Sequence, residues 1–407
     1  MNKYTAMYNK FFYLLFSFIL IACSSNKTQQ ELPFDGKYYT IDLDGKRETS
    51  IPLSSIFKRV RTIILENSDS CLIGRLSDIQ VYSDLIYILD SNKAKSLFVF
   101  DMEGKYVRKI GGIGGGPGEY RGLYDFTLDF ENGVVYLCDA FNRIHKYQLD
   151  GTFLQTITID ASDSQATFIQ YYNGRLYSSQ LWLNKSKDNY MLLEIDPDNG
   201  KVLSSSLPVR YNKGWNEAFY SENRFFMSRA NNPPRYTQMF MDYVVSIGEE
   251  ITPYIKLTGR FLTTEEDIES FRGQDHIPVN VPNIMRSSKL FKMNFFVEND
   301  DIITFKYGHM SHFYVICHKK TGEVKLADYL SNDLVYRNDR KGSLIQFLFA
   351  DAKGAYHVLD TQSGSDFFDN LKNAVKNDEI VPDLDKLEQL KQLDEESNPI
   401  VFFYEFK

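Results

Sequence analysis

Ile86-Tyr87-Ile88-Leu89-Asp90, Ser96-Leu97-Phe98-Val99-Phe100-Asp101 and Gly104-Lys105-Tyr106-Val107-Arg108-Lys109-Ile110 form one unit that the chain then repeats. The second copy is Val135-Tyr136-Leu137-Cys138-Asp139, Ile144-His145-Lys146-Tyr147-Gln148-Leu149-Asp150 and Gly151-Thr152-Phe153-Leu154-Gln155-Thr156-Ile157. Strand, Asp, loop, strand, Asp-to-Gly turn, strand recurs at about fifty residues, and a period in that range built from short strands signals a propeller. Each unit of a propeller buries its faces only against its neighbours. Asp caps the turns through its side chain, and Gly takes positive φ at the hairpin corners.

Weaker copies continue along the chain. A third unit runs from Phe168-Ile169-Gln170-Tyr171-Tyr172 through Asn173-Gly174 to Met191-Leu192-Leu193-Glu194-Ile195. A fourth is expected from 217–220 through Arg224-Phe225-Phe226-Met227 to Tyr243-Val244-Val245-Ser246-Ile247, and a fifth spans 294–318. The sixth holds 344–349 and 355–359 and takes its third strand from 399–406, which leaves it one strand short. Arg61-Thr62-Ile63-Ile64-Leu65 is a strand without a blade, and pairing it onto the C-terminal strand would close the ring and remove an open edge. The expected fold is all-β: a single six-bladed β-propeller over residues 56–407, with short helical insertions near 260–290 and 361–398 on one face. Thr264-Glu265-Glu266-Asp267 opens like a capped helix. Leu384, Leu387, Leu390 and Leu393 form a stripe expected to pack on the propeller itself.

With strands labelled a to d from the axis outward, the a–b turns are short: Ser83-Asp84, Asn132-Gly133, Asn173-Gly174 and Asn299-Asp300. The c–d turns are short too. The b–c and d–a connections carry the extra sequence, at 180–190, 208–216, 229–241, 257–292 and 361–398. Both connection types emerge on the same face, so one face is plain and the other built up, and long loops on a rigid scaffold concentrate binding residues. Trp182, Trp215, Arg229, Arg235 and Tyr236 fall in these loops and have the side chains favoured as interface anchors. His309 and His312 are further candidates, although a pair of His without a third ligand does not make a zinc site.

The N-terminus carries a different signal. Lys3 and Lys10 precede an apolar stretch from Phe11 that ends Leu20-Ile21-Ala22-Cys23, too short to span a bilayer as a permanent helix. Residues 1–22 are therefore expected to be a cleaved leader and 23–55 a tether with a leading strand. Loss of that leader leaves 44 basic against 54 acidic side chains, a balance of −10. Without a basic stripe, nucleic acid is not an expected partner. Cys71, Cys138 and Cys317 remain, an odd number, and the last two lie in apolar runs that mark them as buried thiols.

Two resemblances rest on these residues. The run 135–144, and 104–110 with its Gly111–Tyr120 continuation, resemble the core of an NHL repeat. The Leu-Ile-Ala-Cys ending resembles the lipobox of bacterial lipoproteins, which implies acyl chains on Cys23 and membrane attachment through them. Together with Gly116-Pro117-Gly118-Glu119-Tyr120 and the aromatic C-terminal strand, the chain is similar to the six-bladed propeller lipoproteins of Gram-negative anaerobes. That resemblance implies a place in the cell envelope and no reaction; Ser24, after the Cys, gives no inner-membrane retention signal of the Asp kind, which favours the outer membrane.

Catalytic motifs are wanting. The glycines of 111–118 are followed by another strand and by no Gly-Lys-Ser/Thr, so they do not make a phosphate cradle. Asp196-Pro197-Asp198-Asn199-Gly200 lacks a Glu at the twelfth calcium-loop position. No cofactor or metal is expected. The expectation is a membrane-anchored, non-catalytic binding or scaffold module for a peptide, glycan or partner protein on the built-up face. The alternative is a metal-dependent hydrolase or lactonase with its ligands in the axial pocket.

Overall fold

The structure, a computed structural model, describes residues 32, 36–161, 164–182, 189–215, 225–226, 233–271, 287–290, 292–308, 312–338, 345–362, 366–382 and 384–407. Cys23, Arg229 and His309 lie outside the described residues, and the Trp182 side chain does too. Strands β1 (Tyr39–Asp42), β2 (Arg47–Pro52) and β3 (Phe57–Ile64) come first. Blade one is β4 (Asp78–Tyr82), β5 (Leu85–Asp90), β6 (Ser96–Asp101) and β7 (Tyr106–Ile110), and the short β8 (Gly112–Ile113) and β9 (Glu119–Tyr120) pair within the crossover. Blade two is β10 (Leu123–Asp129), β11 (Val134–Asp139), β12 (Arg143–Gln148) and β13 (Phe153–Thr158). Blade three is β14 (Ser164–Tyr172), β15 (Arg175–Trp182), β16 (Tyr190–Ile195) and β17 (Val202–Pro208). Blade four is β18 (Phe225–Phe226), β19 (Arg235–Tyr236), β20 (Tyr243–Ile247) and β21 (Ile251–Thr258). Blade five is β22 (Met293–Glu298), β23 (Ile302–Gly308), β24 (His312–His318) and β25 (Val324–Ser331). Blade six is β26 (Phe347–Ala350), β27 (Gly354–Leu359), β28 (Ile400–Phe406) and β3.

The ring closes through β28 and β3, antiparallel from Ile400 opposite Ile64 to Phe406 opposite Phe57. Two further strands exceed the four-strand plan. β1 adds in parallel to the outer edge of blade four, with Tyr39 opposite Ile255, and β2 does the same on blade five, with Arg47 opposite Leu326. Residues 39–52, expected in the tether and leading strand, are thus part of the sheet edges, and 39–64 runs past the outsides of three consecutive blades.

The core lies in the seams between blades. Ile86 and Ile88 of β5 pack with Val401 and Phe403 of blade six, whereas Tyr87 and Leu89 of the same strand pack with Phe126 and Leu137 of blade two. Successive side chains point to opposite faces of a strand, and here both faces meet a neighbouring sheet, so the run is apolar throughout. Cys138 joins the blade two–three seam, Cys317 the blade four–five seam, and Cys71 the first; all three are buried free thiols.

Helix α1 (Glu265–Phe271) is capped by Thr264, whose Oγ accepts the Asp267 N–H at 3.2 Å while Asp267 Oδ2 accepts the Thr264 N–H at 2.8 Å. In the long insertion, α2 (Asp366–Lys376) buries Phe368, Leu371 and Ala374. A one-turn helix, α3 (Leu387–Leu390), follows. Leu384 and Leu390 join the blade five–six core, with Leu387 and Leu393 against it. The insertion also covers the outer edge of β3, where Asp385 Oδ1 accepts the Thr62 N–H at 2.7 Å.

Candidate functional site: the axial cavity

Six inner strands converge on a central cavity of about 700 Å³. Its lining comes from the starts of β4, β10, β22 and β26, from the middle of β14, from Phe225, and from Lys306 and Gly308 at the end of β23. Those positions lie toward the b–c and d–a connections, so the cavity belongs to the built-up face. Its volume is in the range of small-molecule sites.

Buried aspartates hold the loops at the mouth. Asp90, fully buried at the end of β5, accepts the N–H groups of Gly74 (2.7 Å), Arg75 (3.0 Å), Asn92 (3.0 Å) and Lys93 (2.8 Å). Asp139 occupies the same place in blade two. It accepts the Phe141 N–H at 2.7 Å, Arg143 Nε at 2.7 Å and His145 Nε2 at 3.2 Å. Burial pushes the Asp139 carboxyl up, but the hydrogen bonds from His145, Phe141 and Arg143 outweigh it and hold the group below the usual carboxylate range. The repeated Asp of the sequence is therefore a loop anchor.

On the side of blades one to three, polar side chains of the inner strands stitch one strand to the next. Gln80 Nε2 donates to the Phe126 carbonyl at 3.1 Å, Asp125 Oδ2 accepts the Ile169 N–H at 2.8 Å, and Thr127 Oγ1 accepts the Tyr171 N–H at 3.1 Å. The wall across the ring is different. Lys292 and Lys306 both face the cavity from blade five, beside Phe295, which sits at φ +55 in a bulge of β22. Burial lowers the Lys292 ammonium to about 8, with the nearby Lys306 charge adding to the effect, and burial lowers Lys306 as well. Tyr124, Phe168 and Phe225 complete an aromatic lining.

The residues singled out from sequence are distributed otherwise. Trp215 is buried with its ring 4.9 Å from that of Phe240. Arg235 and Tyr236 form β19, the second strand of blade four, where a loop was expected; the inner strand is 225–226, taken from sequence as the second. Arg235 is buried, its Nε 2.8 Å from Glu298 Oε1 and its guanidinium 3.6 Å over the Tyr254 ring. Glu298, 1% exposed, also receives Lys319 Nζ at 2.7 Å. Tyr236 is fully buried, its hydroxyl 3.2 Å from Ser179 Oγ and donating to the Met191 carbonyl at 3.1 Å. The Trp182 backbone ends β15 opposite Ser164. His312 opens β24 opposite Gly308, half-buried, at the cavity end of blade five. None of these residues with a described side chain is part of the cavity lining. Among the described residues no group of three or more His, Cys, Asp or Glu could hold a metal ion.

The match that decides the family runs over residues 38–405 and is to the "Domain of unknown function (DUF4934)". The chain belongs to the DUF4934 family. Among solved structures, a Bacteroides fragilis protein described as a "putative exported protein" is 18% identical, with a TM-score of 0.70 over 91% of this chain and 100% of its own. That likeness shows a common fold for this DUF4934 member. A DUF4221 family member from Bacteroides vulgatus is 11% identical, with a TM-score of 0.47 over 85% of this chain and 98% of its own. Among curated proteins, none matches.

Proposed function

We propose that this DUF4934 propeller is a non-catalytic binding module of the cell envelope, held to a membrane by acyl chains on Cys23, which takes its ligand at the axial cavity. The observation that carries the proposal is the cavity itself. It is built from all six inner strands, its mouth is fixed by buried aspartates, and it opens among the long loops where a peptide, a glycan or an exposed part of a partner would be met. The name of the Bacteroides fragilis neighbour is in keeping with export, and the Leu-Ile-Ala-Cys signal supplies the anchor. Exposed apolar side chains on the connections of that face, Leu72, Ile113 and Phe141, and Tyr124 at the cavity itself add surface for a larger ligand.

The test is a thermal-shift screen of sugars, amino acids, short peptides and organic acids on the wild type and on Leu348→Trp, a substitution that fills the cavity from β26. Ligands that stabilise the wild type and leave Leu348→Trp unmoved support the cavity as the site. Ligands that stabilise both proteins equally place binding elsewhere and overturn it.

A further inference from the structure

We infer that the ligand of the axial cavity is a small organic anion with a flat ring body, its negative group held between Lys292 and Lys306. This rests on the cavity reading above and narrows it to a ligand class.

Lys306 lies on β23 within Ile302-Ile303-Thr304-Phe305-Lys306-Tyr307, a strand with no other charged residue, and is only 9% exposed. Among the described residues its ammonium has no carboxylate and no hydrogen-bond acceptor; what it has is the Phe295 ring, 5.8 Å from Nζ to centroid. A buried ammonium without an anion bears a desolvation cost that a face-on aromatic ring offsets only in part. Lys292, at the entrance to β22, faces the same space and lies close enough for the two charges to repel. Two like charges at one end of a cavity become favourable together when an anion lies between them.

Among the described residues none of the other charged lining groups is an ion partner of Lys306. Asp125 stands on blade two, across the ring from blade five, with one oxygen on the Ile169 N–H. Asp78 belongs to blade one and Arg75 to the loop before it. The flat body of the ligand follows from the aromatic side chains that line the cavity, Phe225, Phe168 and Tyr124, with Phe295 beside the lysines, since aromatic groups pack favourably with flat rings. The inward position of Phe295 is itself unusual, because a bulky residue at positive φ persists only where its surroundings hold it there.

The experiment uses matched probes on the whole mature protein: D-glucuronate against D-glucose, and benzoate against benzyl alcohol, by isothermal titration calorimetry and thermal shift. The anionic member of a pair is expected to bind and the neutral member to bind about tenfold more weakly or not at all, as for loss of a charge-assisted hydrogen bond. Lys306→Met is expected to abolish the preference for the anion and at the same time to raise the melting temperature of the free protein, because a buried charge has gone. Lys306→Arg should keep the preference. Anionic and neutral probes bound alike, no binding by either anion, or Lys306→Met binding like wild type would each overturn the inference. A neutral ligand blocked by Leu348→Trp would still leave the cavity reading standing.

Discussion

Gly200 and Gly322 both turn the c–d corner of a blade at positive φ, +78 and +72, yet replacing each with Ala should have very different effects. A Cβ at Gly322 meets nothing within 4 Å. A Cβ at Gly200 would overlap the Thr158 carbonyl oxygen on the outer strand of blade two. That contact is part of a seam, because the Asp160 N–H donates to the Gly200 carbonyl at 3.1 Å. Gly104 repeats the arrangement against Ile64, with the Glu66 N–H on its carbonyl at 2.7 Å. Gly322→Ala should cost only the left-handed backbone, about 1–2 kcal/mol. Gly200→Ala adds a backbone overlap that must push the blades apart, with loss of a hydrogen bond worth about 1 kcal/mol and a polar group left poorly paired at about 1–3 kcal/mol. A total near 4 kcal/mol corresponds to roughly a 5 °C fall in melting temperature for a domain of this length, against roughly 1–3 °C for Gly322→Ala. Thermal unfolding followed by far-UV circular dichroism, with urea midpoints as a second measure, separates the two. Equal shifts would refute the seam role of the glycine and leave only its φ.

Four further outcomes are expected. His357, buried with Nδ1 3.2 Å from the Gln346 N–H nitrogen, is held down to about 4 by burial, so the unfolded chain takes up its proton first on acidification. Its contribution is whole above pH ~6.5 and lost as pH falls toward ~4, up to about 3 kcal/mol, and His357→Gln should flatten urea stability against pH in that window. Glu298→Gln leaves the buried Arg235 and the half-buried Lys319 without their anion and should cost about 3–5 kcal/mol by urea denaturation, whereas a loss under 1 kcal/mol would show the cluster to be solvated. Truncation before Pro399 removes the strand between β27 and β3 with Ile400, Val401, Phe402, Phe403, Tyr404 and Phe406, all buried, at about 1.5–3 kcal/mol each. The loss exceeds ordinary domain stability, so an unchanged melting temperature would contradict the closure role of β28. Cys23→Ser should move the protein from the membrane to the soluble fraction, and retention of an unacylated form on membranes would end the lipoprotein proposal.

The parts of the fold most open to sequence reading are those where one residue pattern has one physical cause. Strands β5, β6 and β11 are apolar on both faces because both faces meet another sheet, and their Asp and Gly punctuation marks loop anchors and corners. Ring closure was equally open, since an odd strand and a blade short of one call for each other. Blade four was not: β18 and β19 are two residues each, too short for period-two alternation to stand out. β1 and β2 were hidden because they pair on outer edges with largely exposed side chains, so hydrophobicity does not mark them. The candidate site was hardest. Trp215, Arg235 and Tyr236 have the chemistry of interface anchors, but buried packing uses the same chemistry, and sequence does not tell the two apart. Lys306 left a trace, a lone cation in a largely apolar strand, but it belongs to no catalytic motif.

The three outer-edge strands at the start of the chain set an order of events during folding. Tyr39, Arg47 and Phe57 appear early as the chain emerges, yet their partners are Ile255, Leu326 and Phe406. Blades one to three have all their strands contiguous in sequence and can assemble while the rest is still emerging. Residues 39–64 must wait unpaired through that whole interval, and contacts so distant along the chain form slowly. The ring therefore becomes a ring only in its last step, when the final strand to be made receives the segment that has waited longest.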